Sequence, residues 1–244
     1  MKKYSFFFKQ IKYDFLIFLR EPFFALPILI MPAVFFTIYA GLYAKSGAVT
    51  SFGPYVPMYA LLISFLTIFF NIGIQVVNDK ETGVFKRLVI SPANLYFLVA
   101  TYVVRGVIIS FVGLIEIICC AVFVYGIPLT SNIVPFVLTY LVLIGILLLF
   151  SLSLHGFFKN TKQVVPFTII MFQYVLFASG MIVPVNQLPK FLRVFVYVNP
   201  MYHMNKTAIA VWNNNMVQSS SLFALAAVVI ICSALVLKQR RAEV

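Results

Sequence analysis

The chain alternates long apolar runs with short polar breaks. Six windows of about 20 residues carry almost no charge: 23–43, 55–77, 106–125, 133–154, 164–183 and 221–237. Each suffices for a helix crossing about 30 Å of hydrocarbon. A soluble helix pairs an apolar stripe with a polar face, whereas these windows are apolar on all sides. The pattern predicts an all-α integral membrane fold with six transmembrane helices. Ahead of the first window, over 1–22, Phe8, Ile11, Phe15, Phe18 and Leu19 recur at helical spacing, opposite Lys9, Lys12 and Arg20. That predicts an N-terminal amphipathic helix lying in the membrane interface. The same charges, with Asp14, interrupt any signal-peptide core, and no small-residue cleavage site follows. Between windows five and six, the segment 184–220 is only half polar and is broken by Pro189 and Pro200. Its Leu192, Phe195, Val196 and Tyr197 predict short helices at the outer leaflet, with Tyr202 and Trp212 at headgroup level.

Composition strengthens the membrane reading. With 63% hydrophobic and 10% charged residues, the chain lies outside the range of ordinary soluble domains. The net charge of +12 invites a nucleic-acid reading, but the positive residues cluster beside the windows. Membrane topology explains them, and no nucleic-acid partner is expected. With the N-terminus inside, Lys2, Lys3, Lys9, Lys12, Arg20, Lys80, Lys86, Arg87, Lys159, Lys162, Lys238, Arg240 and Arg241 face the cytosol. Only Lys45, Lys190, Arg193 and Lys206 then face outside. This predicts a multi-pass protein of the plasma membrane with both termini cytoplasmic. Arg105 is left over, and the expectation is a boundary position from which its head snorkels to lipid phosphates.

The search for chemistry is brief. Cys119, Cys120 and Cys232 lie in apolar runs and read as packing residues. His155 and His203 are single histidines expected at opposite membrane faces, without metal-ligand spacing. No Gly-x-x-x-x-Gly-Lys phosphate loop, nucleophile–base arrangement or paired carboxylate stands out. The expectation is a chain with no catalytic or metal site, whose ATP-driven work would come from a partner.

Two features resist that plainness. Glu116 is the acidic residue inside a predicted span, where a carboxylate costs at least ~2.5 kcal/mol unless paired or neutralised. Asn71 and Gln75 in the second window and Gln173 in the fifth are its candidate partners. Two readings stand: a polar lining of a substrate path, or a protonated glutamate bonded between helices. The second feature is the polar segment 78–92, NDKETGVFKRLVISP. Gly83 would let backbones approach closely. Phe85, Leu88 and Val89 share one side of a short helix, with Lys86 and Arg87 off it and Asp79 and Glu81 near its start. Such a helix inserts its ridge into a groove on another protein; the alternative is a solvated loop whose lysines set topology.

The spacing Glu81-x-Gly83-x-x-x-Arg87-Leu88-x-x-x-Pro92 resembles the cytoplasmic signature of the type-2 ATP-binding-cassette (ABC) transporter permeases, particularly their drug-export branch. Ser179-Gly180, Pro184, Leu188-Pro189 and Asn199-Pro200 resemble the family's pattern after its fifth span, and Arg20-Glu21-Pro22 is similar to its approach to the first. The resemblance covers nearly the whole chain and implies a single permease domain over 1–244. It implies two permease subunits, expected as a homodimer, assembled with two cytosolic ABC ATPase subunits that bind the ATP and Mg. No cofactor is expected in this chain. Glu81, Gly83, Phe85, Arg87, Leu88 and Pro92 would form the coupling helix, and Ser179, Gly180, Pro184, Pro189 and Pro200 an extracellular gate. The family's first, second and fifth spans line its seam and pathway, which points to Asn71, Gln75 and Gln173, beside Met171 and Phe172. The function implied is an exporter of amphiphilic small molecules, drugs, peptides or lipids from a bacterial cell, among membrane lipids. Alternatives are a lipid-linked glycan or lipid exporter of the same fold, a pairing with a related permease, and an ion-coupled carrier using Glu116.

Overall fold

A computed structural model describes residues 22–45, 52–85, 87, 95–181, 185 and 188–242. Eight helices are described: α1 (Pro22–Lys45), α2 (Tyr55–Glu81), α3 (Leu95–Cys119), α4 (Ile133–His155), α5 (Thr161–Ala178), α6 (Lys190–Val198), α7 (Pro200–Trp212) and α8 (Ser219–Ala242). A π turn over Thr67–Gly73 widens α2, and another over Cys120–Val124 extends α3. No strand occurs among the described residues. Helices α2, α3, α4, α5 and α8 are long and apolar enough to cross a membrane. Helix α1 runs for 24 residues, and its only charged residue is Lys45 in the last turn. The interfacial helix expected over 1–22 lies outside the described residues except for Pro22, which opens α1.

The long helices run up and down between two poles. Glu81, ending α2, meets Thr161, opening α5. Tyr55 and Met58, in the first turn of α2, share a cavity with Ser179 and Gly180 beyond the end of α5. These ends define a Glu81 pole and a Ser179 pole. Helix α2 forms the centre, packed against α1, α3, α4 and α7. Its sequence is apolar all round because neighbours surround it: Leu61, Ile63, Phe65, Ile68 and Phe69 are all fully buried. By contrast, the outer helices expose Phe123, Leu138, Val142, Ile170, Phe223 and Ile230. Lipid tails are as apolar as these side chains, so no hydrophobic penalty attaches to that surface.

One buried hydroxyl ties three helices together. Tyr140 Oη on α4 lies 2.6 Å from Ser64 Oγ, 3.1 Å from the Ala60 carbonyl and 3.0 Å from the Ser110 carbonyl. Either hydroxyl of this pair can donate to the other, and Ser64 Oγ also lies 3.0 Å from the Ala60 carbonyl, so the contacts form one shared network. The hydroxyl thereby fixes the spacing of α2, α3 and α4 in a core otherwise held by non-directional packing.

The fifth span differs from its predicted window, 164–183. Helix α5 begins earlier, where the Asn160 side chain caps the Gln163 amide at 3.0 Å, and ends at Ala178. Ser179 leaves the helix, and Gly180 at φ +77° takes the left-handed turn that only glycine adopts freely. Helices α6 and α7 fall where short helices are expected, and Trp212 packs inward at the start of α4. Met201, Met204, Ala208 and Trp212 form a stripe at helical spacing, and α7 buries it against α2, α4 and α8. Trp212 meets Phe136 edge to face at 4.9 Å, and its carbonyl accepts from Thr130.

Candidate functional site

The Glu81 pole is built from the end of α2. The Thr82 amide donates to the Asn78 carbonyl at 2.9 Å, and the Gly83 amide to that of Lys80 at 3.2 Å. Gly83 adopts φ +73°, and the Arg87 amide then returns to the Gly83 carbonyl at 3.1 Å, starting a new turn. The Arg87 guanidinium donates to the Thr82 carbonyl at 2.9 Å, bracing that turn from outside. A Cβ built on Gly83 would meet no atom within 4 Å. Within this chain the glycine therefore serves the left-handed backbone. Phe85 is half-buried and Arg87 exposed; Leu88 and Pro92 lie outside the described residues.

Glu81 is exposed, yet its carboxylate is engaged within the chain. One oxygen accepts from both the amide and the hydroxyl of Thr161, each at 2.8 Å. Thr161 opens α5, where helix amides lack partners and the dipole favours negative charge. The tie joins the turn at Gly83 to the base of α5 across 80 residues of sequence.

Just inside this pole, a polar layer clamps α2 to α3. Arg105 is 3% exposed and donates to the Gln75 side-chain oxygen at 2.5 Å. Its guanidinium stands 5.6 Å from the Tyr102 ring centroid, and the Tyr102 hydroxyl donates to Asp79. Arg105 thus does not snorkel to a boundary; Gln75 and Asp79, one turn apart, present oxygens to Tyr102 and Arg105 on the facing helix.

His155 ends α4 but packs inside the bundle instead of lying open at an interface. It is fully buried at the end of α4, edge-on to Phe69 at 5.2 Å and facing Gly73 of the π turn. Its Nδ1 lies 2.8 Å from the Ser151 carbonyl, which only accepts, so Nδ1 carries the proton. Nε2 lies 3.3 Å from the Thr168 hydroxyl of α5, which also bonds the Val164 carbonyl at 2.9 Å. One ring joins α2, α4 and α5.

Of the candidate path residues, Gln173 lines a cavity. This space of about 460 Å³ lies between α1, α2 and α5, with Met31, Phe35, Leu66, Phe70 and Phe172 on its walls. Gln173 is the polar group in an otherwise apolar lining. Asn71 follows Phe70 but does not line the space; its Oδ1 has no hydrogen-bond partner among the described residues. Gln75 belongs to the Arg105 clamp. Glu116 is half-buried on α3, and its Oε2 is likewise unpartnered among the described residues. The four do not converge. Among the described residues, no three His, Cys, Asp or Glu side chains come together to hold a metal.

At the Ser179 pole, the expected gate residues play separate parts. Ser179 is buried, and its carbonyl accepts from Asn205 at 3.4 Å. Pro200 opens α7, where the Asn199 side chain caps the Met201 amide at 3.0 Å. Pro189 precedes α6, and Pro184 lies outside the described residues. Tyr174 of α5 donates to the Phe195 carbonyl at 2.7 Å, linking α5 to α6.

This bundle has a charged turn at one pole, an apolar space between its first, second and fifth long helices, and a broken helical segment at the other pole. The arrangement defines a helical bundle of membrane-spanning character. The profile of the family described as ABC-2 type transporter matches residues 7–213, and the chain belongs to that family. It is also similar to a protein of Cyanophora paradoxa described as "Putative transport permease ycf38", with 26% identity over 162 residues. That similarity covers 64% of this chain and 54% of the relative, so the chain spans about half the length of the curated relative it matches.

Proposed function

We propose that this chain is the membrane-spanning permease subunit of an ABC exporter, driven by ATP hydrolysis on a separate cytosolic subunit. Counting α1 as the first span gives six, and the weight of lysine and arginine then supports a cytosolic Glu81 pole. The observation that carries the reading is the tie between Glu81 and Thr161. A turn that projects from the bundle is bonded to α5, and α5 is a wall of the apolar cavity. A partner that moves the turn therefore moves the cavity wall. The cavity suits bulky amphiphiles, because Met31, Phe35, Phe70 and Phe172 repack around different shapes while Gln173 offers one polar contact. The complex would hold two permeases, as a homodimer, and two ATPases.

The test is co-purification from the native membrane with the ATPase, followed by substrate-stimulated ATP hydrolysis. Gly83→Val forces a branched residue into the left-handed region, at a cost of about 1–2 kcal/mol. It should cut ATPase capture while the chain remains inserted. Survival of both capture and stimulated hydrolysis would refute the coupling role. A second reading, an ion-coupled carrier, is favoured by the unpartnered Glu116 Oε2. Transport that follows an imposed proton gradient without ATP, and is lost in Glu116→Gln, would replace the first reading with it.

A further inference from the structure

The cavity between α1, α2 and α5 encloses about 460 Å³, within the ~300–1,000 Å³ of pockets that hold drug-sized ligands. Its floor is fixed by packing. Phe70 and Phe172 meet edge to face at 6.0 Å, and both rest on the buried Ile28, Leu66 and Ile109. Two rings held in that way leave a flat apolar body few ways to lie.

One polar group interrupts the apolar wall. Gln173 lies about 18 Å along α5 from Thr161, at 1.5 Å per residue, between Phe172 and Tyr174. Its side chain is exposed and lines the space, and it makes no hydrogen bond among the described residues. An amide has two N–H donors and an acceptor oxygen. In hydrocarbon no water satisfies them, so the group favours any partner that both donates and accepts.

Charge is missing from the same walls. Lys45 is in the last turn of α1, Lys162 in the first turn of α5, and Asp79, Lys80 and Glu81 close α2. None of them lines the space. A cation entering it would give up its water without meeting a carboxylate, and an anion without meeting an ammonium or guanidinium. The rings of Phe35, Phe70 and Phe172 attract a cation, but more weakly than water holds a charged head that carries N–H groups.

We propose that this cavity selects uncharged amphiphiles whose polar group both donates and accepts a hydrogen bond, such as a carboxamide, and that Gln173 sets the selection. The head pairs with the Gln173 amide, N–H to oxygen in each direction, and the apolar body lies over Phe70 and Phe172. The inference rests on the transport reading, since it names the class of cargo that the same cavity takes.

The experiment uses the full chain in phosphatidylcholine nanodiscs, with its ATPase where that co-purifies. The probe is 4-hexylbenzamide carrying a diazirine in its tail; after illumination, labelled peptides of α1 and α5 are read by mass spectrometry. Three competitors share the hexylphenyl body and differ in the head: 4-hexylbenzamide, methyl 4-hexylbenzoate and 4-hexylbenzamidine. Each is compared at equal measured concentration in the bilayer. The ester accepts but cannot donate, and should compete about 3- to 10-fold more weakly than the amide, the worth of one hydrogen bond. The amidine keeps the shape of the amide but carries a positive charge, and should be at least about tenfold weaker than the amide. Gln173→Leu should bring amide and ester level while the amidine stays weak. Gln173→Glu, nearly the same in shape, should reverse the order and favour the amidine.

Equal competition by amide and amidine in the wild type overturns the proposal. So does an amide advantage over the ester that survives Gln173→Leu, or labelling that the amide does not saturate because a second copy fills the space. Selective labelling with no effect of 4-hexylbenzamide on ATP hydrolysis would strike the transport reading and leave the selectivity standing. Stimulated hydrolysis with equal competition by all three heads would do the reverse.

Discussion

Gly73→Ala isolates the contact between the π turn of α2 and His155. A Cβ at position 73 would fall 2.5 Å from His155 Cε1 and 2.7 Å from Cδ2, against ~3.5–4.0 Å for comfortable carbon contact. About 1 Å must be recovered by moving a ring that Ser151 and Thr168 hold on both nitrogens. Overpacking of this kind costs about 1–3 kcal/mol, or roughly 5- to 150-fold in the unfolding equilibrium. The assay is reversible unfolding in mixed micelles, followed by the fluorescence of Trp212, the one tryptophan of the chain. The decisive variant is Gly73→Ala combined with His155→Ala, which removes the obstructing ring. In that background the added methyl should cost under about 0.5 kcal/mol, the limit within which independent sites add. An equal cost with and without the imidazole would refute the steric argument. It would mean that the glycine is required for the π turn itself.

The remaining predictions concern the polar ties. Tyr140→Phe should destabilise the bundle by about 0.6–1.7 kcal/mol, the range for interhelical hydrogen bonds in membranes, in the same unfolding assay; no change would mean that packing alone sets the spacing of α2, α3 and α4. Gln75→Leu takes a hydrogen bond from the buried Arg105 guanidinium and should cost about 1.5–3 kcal/mol, with Gln75→Glu recovering the loss. Gln173→Trp should fill part of the 460 Å³ space and change which amphiphiles stimulate hydrolysis, while ATPase capture stays at the wild-type level; an unchanged substrate range would remove that cavity from the path.

Hydropathy made most of the bundle legible, because burial in lipid or among helices demands the same apolar residues over the same length. It overran at the end of α5, where Met181 extends the apolar run although Gly180 has already turned the chain. The proline, Asn-Pro and Ser-Gly signals placed the breaks around α6 and α7 well. They did not show that α7 turns a stripe inward, which the spacing of Met201, Met204, Ala208 and Trp212 does show. The polar ties were the least legible. Each joins residues far apart in sequence: Glu81 with Thr161, Gln75 with Arg105, Ser64 with Tyr140. A lone charge in an apolar run looks like a boundary residue until its partner is known. The matched pairs Gln75 and Asp79, Tyr102 and Arg105 carried the one usable signal, two polar residues a turn apart on each of two consecutive helices. His155 had no such signal, because on α2 it meets a glycine and a phenylalanine ring, which carry no polar pattern.

The bond between Glu81 and Thr161 also sets a mechanical scale. Helix α5 has 18 residues and is about 27 Å long. Gripped at its first residue and tied near its last only to the short helices α6 and α7, it would act, under the proposed coupling, as a lever with its handle at one membrane face. A tilt of 10° about Thr161 would sweep its far end through about 5 Å, one helical pitch. A displacement of that size at Ala178 reaches Ser179 directly. A small rotation imposed in one aqueous compartment would then open or close a passage to the other, with no need to bend any helix on the way.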